Sequence, residues 1–161
     1  MGHQLDNSFF KLGTLATPGI KEMAERGKTF PLDSEITAKI SNGEGYKLYQ
    51  GDGLPSGVGE VTLKINVDQQ FSAVTIVSML APSPDWYIAA LNVNLLKDGN
   101  FVKEKKVDVL VYDAGTDDGV TFASANTVTS PQQPISLFVD APLGNGTVIS
   151  PVIATAHFIK Q

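Results

Sequence analysis

The chain contains no cysteine in 161 residues. Disulfides, thiol catalysis and zinc–thiolate sites are excluded together. Export is not, because exported bacterial domains often lack cysteine. Basic charge is also scarce: 12 Lys and Arg stand against 17 Asp and Glu, a net charge of -5. Nucleic acids are held by basic surfaces, so no nucleic-acid partner is expected. Histidine occurs only as His3 and His157. Neither has a Cys or a second His at ligand spacing, which argues against zinc. There is no Gly-x-Ser-x-Gly elbow, and a Ser-His-Asp triad lacks a convincing histidine. No apolar run reaches the roughly 20 residues of a membrane span. Met1-Gly2-His3-Gln4 shows no basic-then-apolar leader pattern. The chain is therefore cytosolic, or its leader has been removed, or the numbering begins inside a longer precursor.

What is present is ordinary for a globular domain, with 42% hydrophobic and 18% charged residues. No repeat, low-complexity tract or linker divides it, so residues 1–161 read as one domain. One short helix is well marked. Thr17 is an N-cap, Pro18 takes the first helical position, Ile20, Met23 and Ala24 form an apolar face, and Gly27 stops it. From residue 34 onward the chain reads as strands. Ser34 to Ile40 alternates weakly. Ile40 to Gly59 is loop, broken by glycines and Pro55, with a short strand near Tyr46 to Tyr49. Val61, Leu63, Ile65 and Val67 alternate as in a half-buried strand. Phe71 to Leu80, Tyr87 to Leu96, Val102 to Tyr112, Ile135 to Val139 and Val148 to Ile159 follow, with Asp98-Gly99 and Gly144-Asn145-Gly146 as hairpin turns. Asn145-Gly146-Thr147 also fits a glycosylation acceptor, but the turn takes precedence. The fold class is all-β: an antiparallel sandwich of about eight strands with one short helix near the N-terminus.

Strand direction then places the chemistry. If 71–80 runs up, 86–96 runs down and 102–112 runs up again, so Asp85 and Asp113 share one end of the sheet. Two acidic loops meet there, Ser83-Pro84-Asp85-Trp86 and Asp113-Ala114-Gly115-Thr116-Asp117-Asp118-Gly119. Carboxylates held close raise one another's pKa unless a cation neutralises them. Calcium takes six to eight oxygens at roughly 2.3–2.6 Å. Asp113 and Asp117, with small residues between, fold back toward one ion, while Gly115 and Gly119 permit the curvature. The spacing is not that of an EF-hand: Asp118 stands at position six and Ser124 at position twelve. Two readings stay open, a calcium cup and a pair of turns whose carboxylates cap backbone amides. A glycosidase-like carboxylate pair is weighed and set below metal binding. Trp86 is expected to pack beneath the loops, with an exposed aromatic platform as the alternative. His157 is read as structural and His3 as incidental.

Long strings in the chain resemble a known family. Met79-Leu80-Ala81-Pro82-Ser83-Pro84-Asp85-Trp86 and Tyr112-Asp113-Ala114-Gly115-Thr116-Asp117-Asp118-Gly119-Val120-Thr121-Phe122 are similar to the two signatures of the spondin domain, the N-terminal module of F-spondin. Gly13, Thr17-Pro18-Gly19-Ile20, Ala24-Glu25-Arg26-Gly27, Leu32 and Glu35 extend the resemblance upstream. It implies a sandwich related to calcium-dependent membrane-binding domains, with Ca²⁺ held by three aspartates that map onto Asp85, Asp113 and Asp117. It also implies non-enzymatic adhesion in the extracellular matrix or at the cell surface, with bacterial members secreted or periplasmic. The partner is then calcium together with an extracellular protein, glycan or lipid. A calcium-bridged anionic lipid or glycan is the first alternative, and a metal-assisted hydrolase the second.

Three departures stand out. The absence of cysteine points to a bacterial-type member. Asp118 adds an oxygen or a nearby charge where serine is common. The family strand before Phe9-Phe10 is expected to be missing or shortened, which leaves a sheet edge open to a homodimer partner.

Overall fold

The computed structural model describes residues 1–149 and 152–161. Its elements, in chain order, begin with β1 (Gly2–His3), α1 (Pro18–Arg26), α2 (Leu32–Ser41), β2 (Gly45–Lys47) and β3 (Ala73–Met79). Next come β4 (Trp86–Asn94), β5 (Leu96–Lys97), β6 (Asn100–Phe101), β7 (Glu104–Asp113), β8 (Ser136–Leu137) and β9 (Ala154–Ile159). Among the described residues the main sheet runs β2-β1-β3-β4-β7-β8, and β9 pairs with the first part of β7. Every pairing is antiparallel. The sequence expectation of an antiparallel, sandwich-like β fold holds.

Strand β7 connects the two layers. Leu110–Asp113 pair with β4, while Glu104–Val109 pair with β9. One core lies between the main sheet and the helices. There Ile20, Met23 and Ala24 of α1, with Leu32 and Ile36 of α2, meet Tyr87, Ala89 and Tyr112. Phe10 sits edge-on to Tyr87 and Tyr112 at 5.5 and 5.4 Å between ring centroids. The second core lies on the opposite side, where Val74, Ala90, Val93 and Leu95 pack with Val107, Val109, Ala156 and Phe158.

Helix α1 forms as its sequence dictates. The Thr17 hydroxyl oxygen accepts from Ile20 N–H at 3.2 Å, and Gly27 closes the helix at φ +64°. Glu35 adds a device that spacing alone does not reveal. Its carboxylate reaches across from α2, accepting from Gly19 N–H at 2.7 Å and from the Thr17 hydroxyl at 2.6 Å. A carboxylate at a helix N-terminus satisfies free amides and meets the positive end of the helix dipole. Gly19 leaves room for it, since a Cβ there would lie 2.5 Å from Glu35 Oε2.

Two local expectations are corrected. Ser34 to Ile40 is helical, within α2, rather than a weak strand. Leu32, Ile36 and Ile40 recur every four residues, a spacing that one helix face and one strand face share. Asp33 and Glu35 in the first turn and Lys39 in the last also suit the helix dipole. Val61 to Val67 forms no strand. Its alternation still sorts side chains, since Ile65 and Val67 pack on the second core while Val61 and Leu63 stay exposed. Ahead of Phe9-Phe10 the chain forms β1, two residues long and seated between β2 and β3.

Candidate functional site

The antiparallel run β3-β4-β7 brings the two acidic loops to one end of the sheet, with Trp86 opposite Asp113. The 80–86 loop is closed by Leu80 N–H donating to Trp86 C=O at 3.1 Å. Ser83 pins it from inside, with its hydroxyl contacting Leu80 C=O and accepting from Trp86 N–H at 3.2 Å. Trp86 is fully buried, stacked on Phe138 at 4.1 Å and edge-on to Phe122 at 5.5 Å. It packs beneath the loops, as expected for a core residue.

Asp85 lies at the centre and is 0% exposed. Its Oδ2 accepts from Thr116 N–H at 2.7 Å, Asp117 N–H at 3.1 Å and the Thr116 hydroxyl at 3.1 Å. Its Oδ1 is buried and has no partner. Burial, and then the neighbouring charge of Asp113, push its pKa up to about 6, against the pull of the three donors. The hydroxyl of Tyr87, the second residue after Asp85, is likewise buried and unpaired.

Asp113 is half-buried at the end of β7 and accepts from Gly115 N–H at 2.7 Å. Burial raises its pKa, and Asp117 and Asp118 add to that, while the Gly115 amide and the Trp86 indole oppose it. The indole N–H approaches this carboxylate without completing a hydrogen bond. Gly115 has φ +69°, and a Cβ there would fall 2.2 Å from Gln133 C=O, so the turn admits only glycine.

Asp117, 5% exposed, turns into its own loop. Its two oxygens accept from Gly119 N–H at 2.8 Å and Thr127 N–H at 3.2 Å. Asp118 accepts from the Thr129 hydroxyl at 2.7 Å. The structure thus places Asp85 and Asp113 at one end of the sheet, as strand direction predicts, with Asp117 four residues further along the second loop. Asp113 and Asp117 nevertheless spend oxygens on capping amides, which is the turn-former reading. Among the described residues, no group of three or more His, Cys, Asp or Glu side chains is close enough to hold a metal ion.

The two acidic loops carry no Lys or Arg of their own, and the chain has none from residue 65 to 96 or from 107 to 159. The partners Thr116, Thr127 and Ser83 are invisible to a search for ligand spacing, because Ser and Thr in loops have many local uses.

The histidines lie elsewhere. His157 on β9 sits 2.7 Å from Glu104 Oε1. His3, read above as incidental, is fully buried in β1 and belongs to the sheet. Its Nδ1 lies 2.7 Å from Gln4 C=O and its Nε2 lies 2.7 Å from the Thr75 hydroxyl. The Asn145 turn also forms as expected, with Asn145 Oδ1 accepting from the amides of Thr147 and Val148.

This fold and this end of it define a class: an antiparallel sandwich finished by two carboxylate-bearing loops around one buried aspartate. The sequence matches the Spondin_N family over residues 1–142, and the chain belongs to that family. It is 30% identical over 135 residues to Spondin-2 of Rattus norvegicus and 31% identical over 138 residues to Spondin-2 of Homo sapiens. Each alignment covers 83% of this chain and 41% of the relative. Spondin-1 of Gallus gallus is 30% identical over 142 residues, covering 83% of this chain and 17% of that protein. The chain therefore spans less than half the length of these relatives. No helix among the described residues is long and apolar enough to cross a membrane.

Proposed function

We propose that this chain is a calcium-binding, non-enzymatic binding or adhesion module that works outside the cytoplasm, in which the ion orders the two acidic loops. The observation that carries the reading is Asp85 Oδ1, a carboxylate oxygen buried without a partner in a loop cluster that contains no Lys or Arg. A buried charge without a counter-charge is costly, and a hard divalent cation is the partner such oxygens take. Asp85, Asp113 and Asp117 would hold the ion. Asp85 would offer its unpartnered Oδ1, while Asp113 and Asp117 would turn part of their oxygen from loop amides to the metal. Bound calcium neutralises the repulsion between the loops and so stabilises the folded state by mass action.

Family membership supports the secreted, periplasmic or cell-surface setting that the resemblance implies. The non-enzymatic reading fits the surroundings of the cluster, since His3 is engaged in β1 and His157 pairs with Glu104. Calorimetric titration of calcium into chelator-stripped protein tests the reading. One ion per chain is expected, with affinity reduced about tenfold or more in Asp113→Asn. Undiminished affinity in that variant would overturn the assignment.

A further inference from the structure

The sheet edges of this fold are not alike. Strands β2 and β8 are three and two residues long. Strand β9 runs six residues, and among the described residues it pairs only with β7. It lies beyond the residues 1–142 that match the family. The register shows which of its backbone groups are spent. Lys160 N–H donates to Lys103 C=O at 2.9 Å, and in an antiparallel ladder alternate residues face the same neighbour. Ala154, Ala156 and Phe158 therefore bond to β7, opposite Val109, Val107 and Lys105. Thr155, His157 and Ile159 turn their N–H and C=O groups away from β7, and none of these groups has a backbone partner among the described residues. Their side chains are exposed, Ile159 at 64%. Natural sheets blunt such an edge with proline, a charge or a bulge. Strand β9 contains no Pro, Lys, Arg, Asp or Glu, and its pairing with β7 runs without a register shift. Ala156 and Phe158 pack on the second core yet stay only half-buried, as on a layer that ends too soon.

We propose that β9 is a dimerisation edge, pairing antiparallel with β9 of a second copy of the chain about a two-fold axis at His157. The strand fits its own reverse. Only a register centred on His157 sets all three outward residues against one another. Thr155 then meets Ile159 of the second copy, His157 meets His157, and Ile159 meets Thr155. Each such pair exchanges two hydrogen bonds. On the exposed face Thr155 and Ile159 form a β-branched cross-strand pair. On the other face Phe158 lies opposite Ala156, so a large side chain meets a small one and the second core continues across the axis. No acidic or basic side chain of β9 meets its like, and each His157 sits 2.7 Å from Glu104 Oε1 of its own chain. This self-match selects a second copy over a foreign strand. A two-fold contact also closes on itself, so assembly stops at the dimer. Six residues per strand bury less than the roughly 800 Å² per side of a stable interface, so the dimer is weak and depends on concentration. It needs no metal, and it stands apart from the calcium reading.

The test is sedimentation equilibrium of the whole chain from micromolar to millimolar concentration, in calcium and in EGTA. A monomer–dimer equilibrium is expected, equal in both buffers. Thr155→Pro removes an outward N–H that β7 does not use. It should weaken dimerisation about tenfold or more while the circular dichroism stays that of the parent. Because the chain has no cysteine, single cysteines report the register. His157→Cys should cross-link across the axis under mild oxidation, since facing Cα atoms there lie about 5.5 Å apart, within disulfide reach. Thr155→Cys, whose two copies would sit roughly 13 Å apart along the strand, should cross-link much more slowly. So should Val58→Cys, at a residue 89% exposed on a different loop. A parent chain that stays monomeric at millimolar concentration overturns the proposal, as does growth past the dimer. A dimer seen only in calcium would move the contact to the acidic loops and overturn it. Undiminished dimerisation by a folded Thr155→Pro chain overturns it too, and so do equal cross-linking rates in the three cysteine variants. If Thr155→Pro misfolds, the cysteine rates decide.

Discussion

Two buried polar groups sit near strand β3 of this protein and are treated in opposite ways. His3 is complete. Gln4 C=O can only accept, so Nδ1 carries the proton and Nε2 accepts from the Thr75 hydroxyl, whose oxygen in turn accepts from Asn92 N–H at 3.0 Å. Burial holds the His3 pKa below its ordinary value, which favours this neutral form; the Met1 amine and Lys39 act in the same sense, with Gln4 C=O and Asp6 opposing. Asp85 is incomplete: three donors converge on one oxygen and none reaches the other. A satisfied network specifies and stabilises a fold, whereas a half-satisfied one costs free energy unless something else completes it. The contrast teaches that folding finishes the first site and leaves one oxygen of the second open, the oxygen that the proposed calcium reading would fill.

The comparison can be broken or sharpened at several points. The largest effect is expected at the turn that aims the acidic loops. Gly115→Ala forces a Cβ onto Gln133 C=O at a positive φ, and should destabilise by about 3 kcal/mol or more with calcium or without, read by urea unfolding.

Next comes pH. The folded pKa of Asp85 is raised from 3.8 to about 6, so in chelator the folded state holds more protons than the unfolded state between those values. Its contribution is present below the unfolded value and lost as pH rises through the folded one, a fall of up to about 3 kcal/mol. His3 acts in the opposite sense, because its folded pKa is lowered and stability is lost as pH falls through its ordinary value. Asp85→Asn should shrink the first dependence to the part that comes from Asp113, whose pKa burial also raises, and leave the second, measured as midpoint against pH in EGTA.

Thr75→Val tests the finished site. It strands His3 Nε2 and Asn92 N–H, and should cost about 2 kcal/mol equally with and without calcium. An effect that calcium repaired would merge the two sites and break the comparison. The smallest effect is expected at the helix cap distant from both sites. Glu35→Ala, which frees Gly19 N–H and the Thr17 hydroxyl, should cost about 1 kcal/mol and leave calcium affinity unchanged.

The architecture was legible in the sequence where pattern and punctuation agree. Thr17, Pro18 and Gly27 bracket α1, and the hairpin at Asp98-Gly99 orients the strands so that Asp85 and Asp113 meet. Legibility failed where one spacing serves two structures. Leu32, Ile36 and Ile40 fit a strand face as well as a helix face, and Val61 to Val67 alternates without finding a ladder. At the site, the aspartates were readable as types placed at one end. The division of labour among their oxygens was not, because it depends on which amide each oxygen reaches after folding. His3 was missed because a β-bulge at Thr75, not a motif, supplies its partner.

The most direct test of the account is thermal unfolding in millimolar calcium and in excess EGTA, on the parent chain and on Asp85→Asn. At a calcium concentration about 100 times Kd the folded state gains about 2.7 kcal/mol, a rise of about 5–10 °C for a domain of this size. The account predicts that rise in the parent and its absence in Asp85→Asn. No rise in the parent, or an equal rise in the variant, would contradict it.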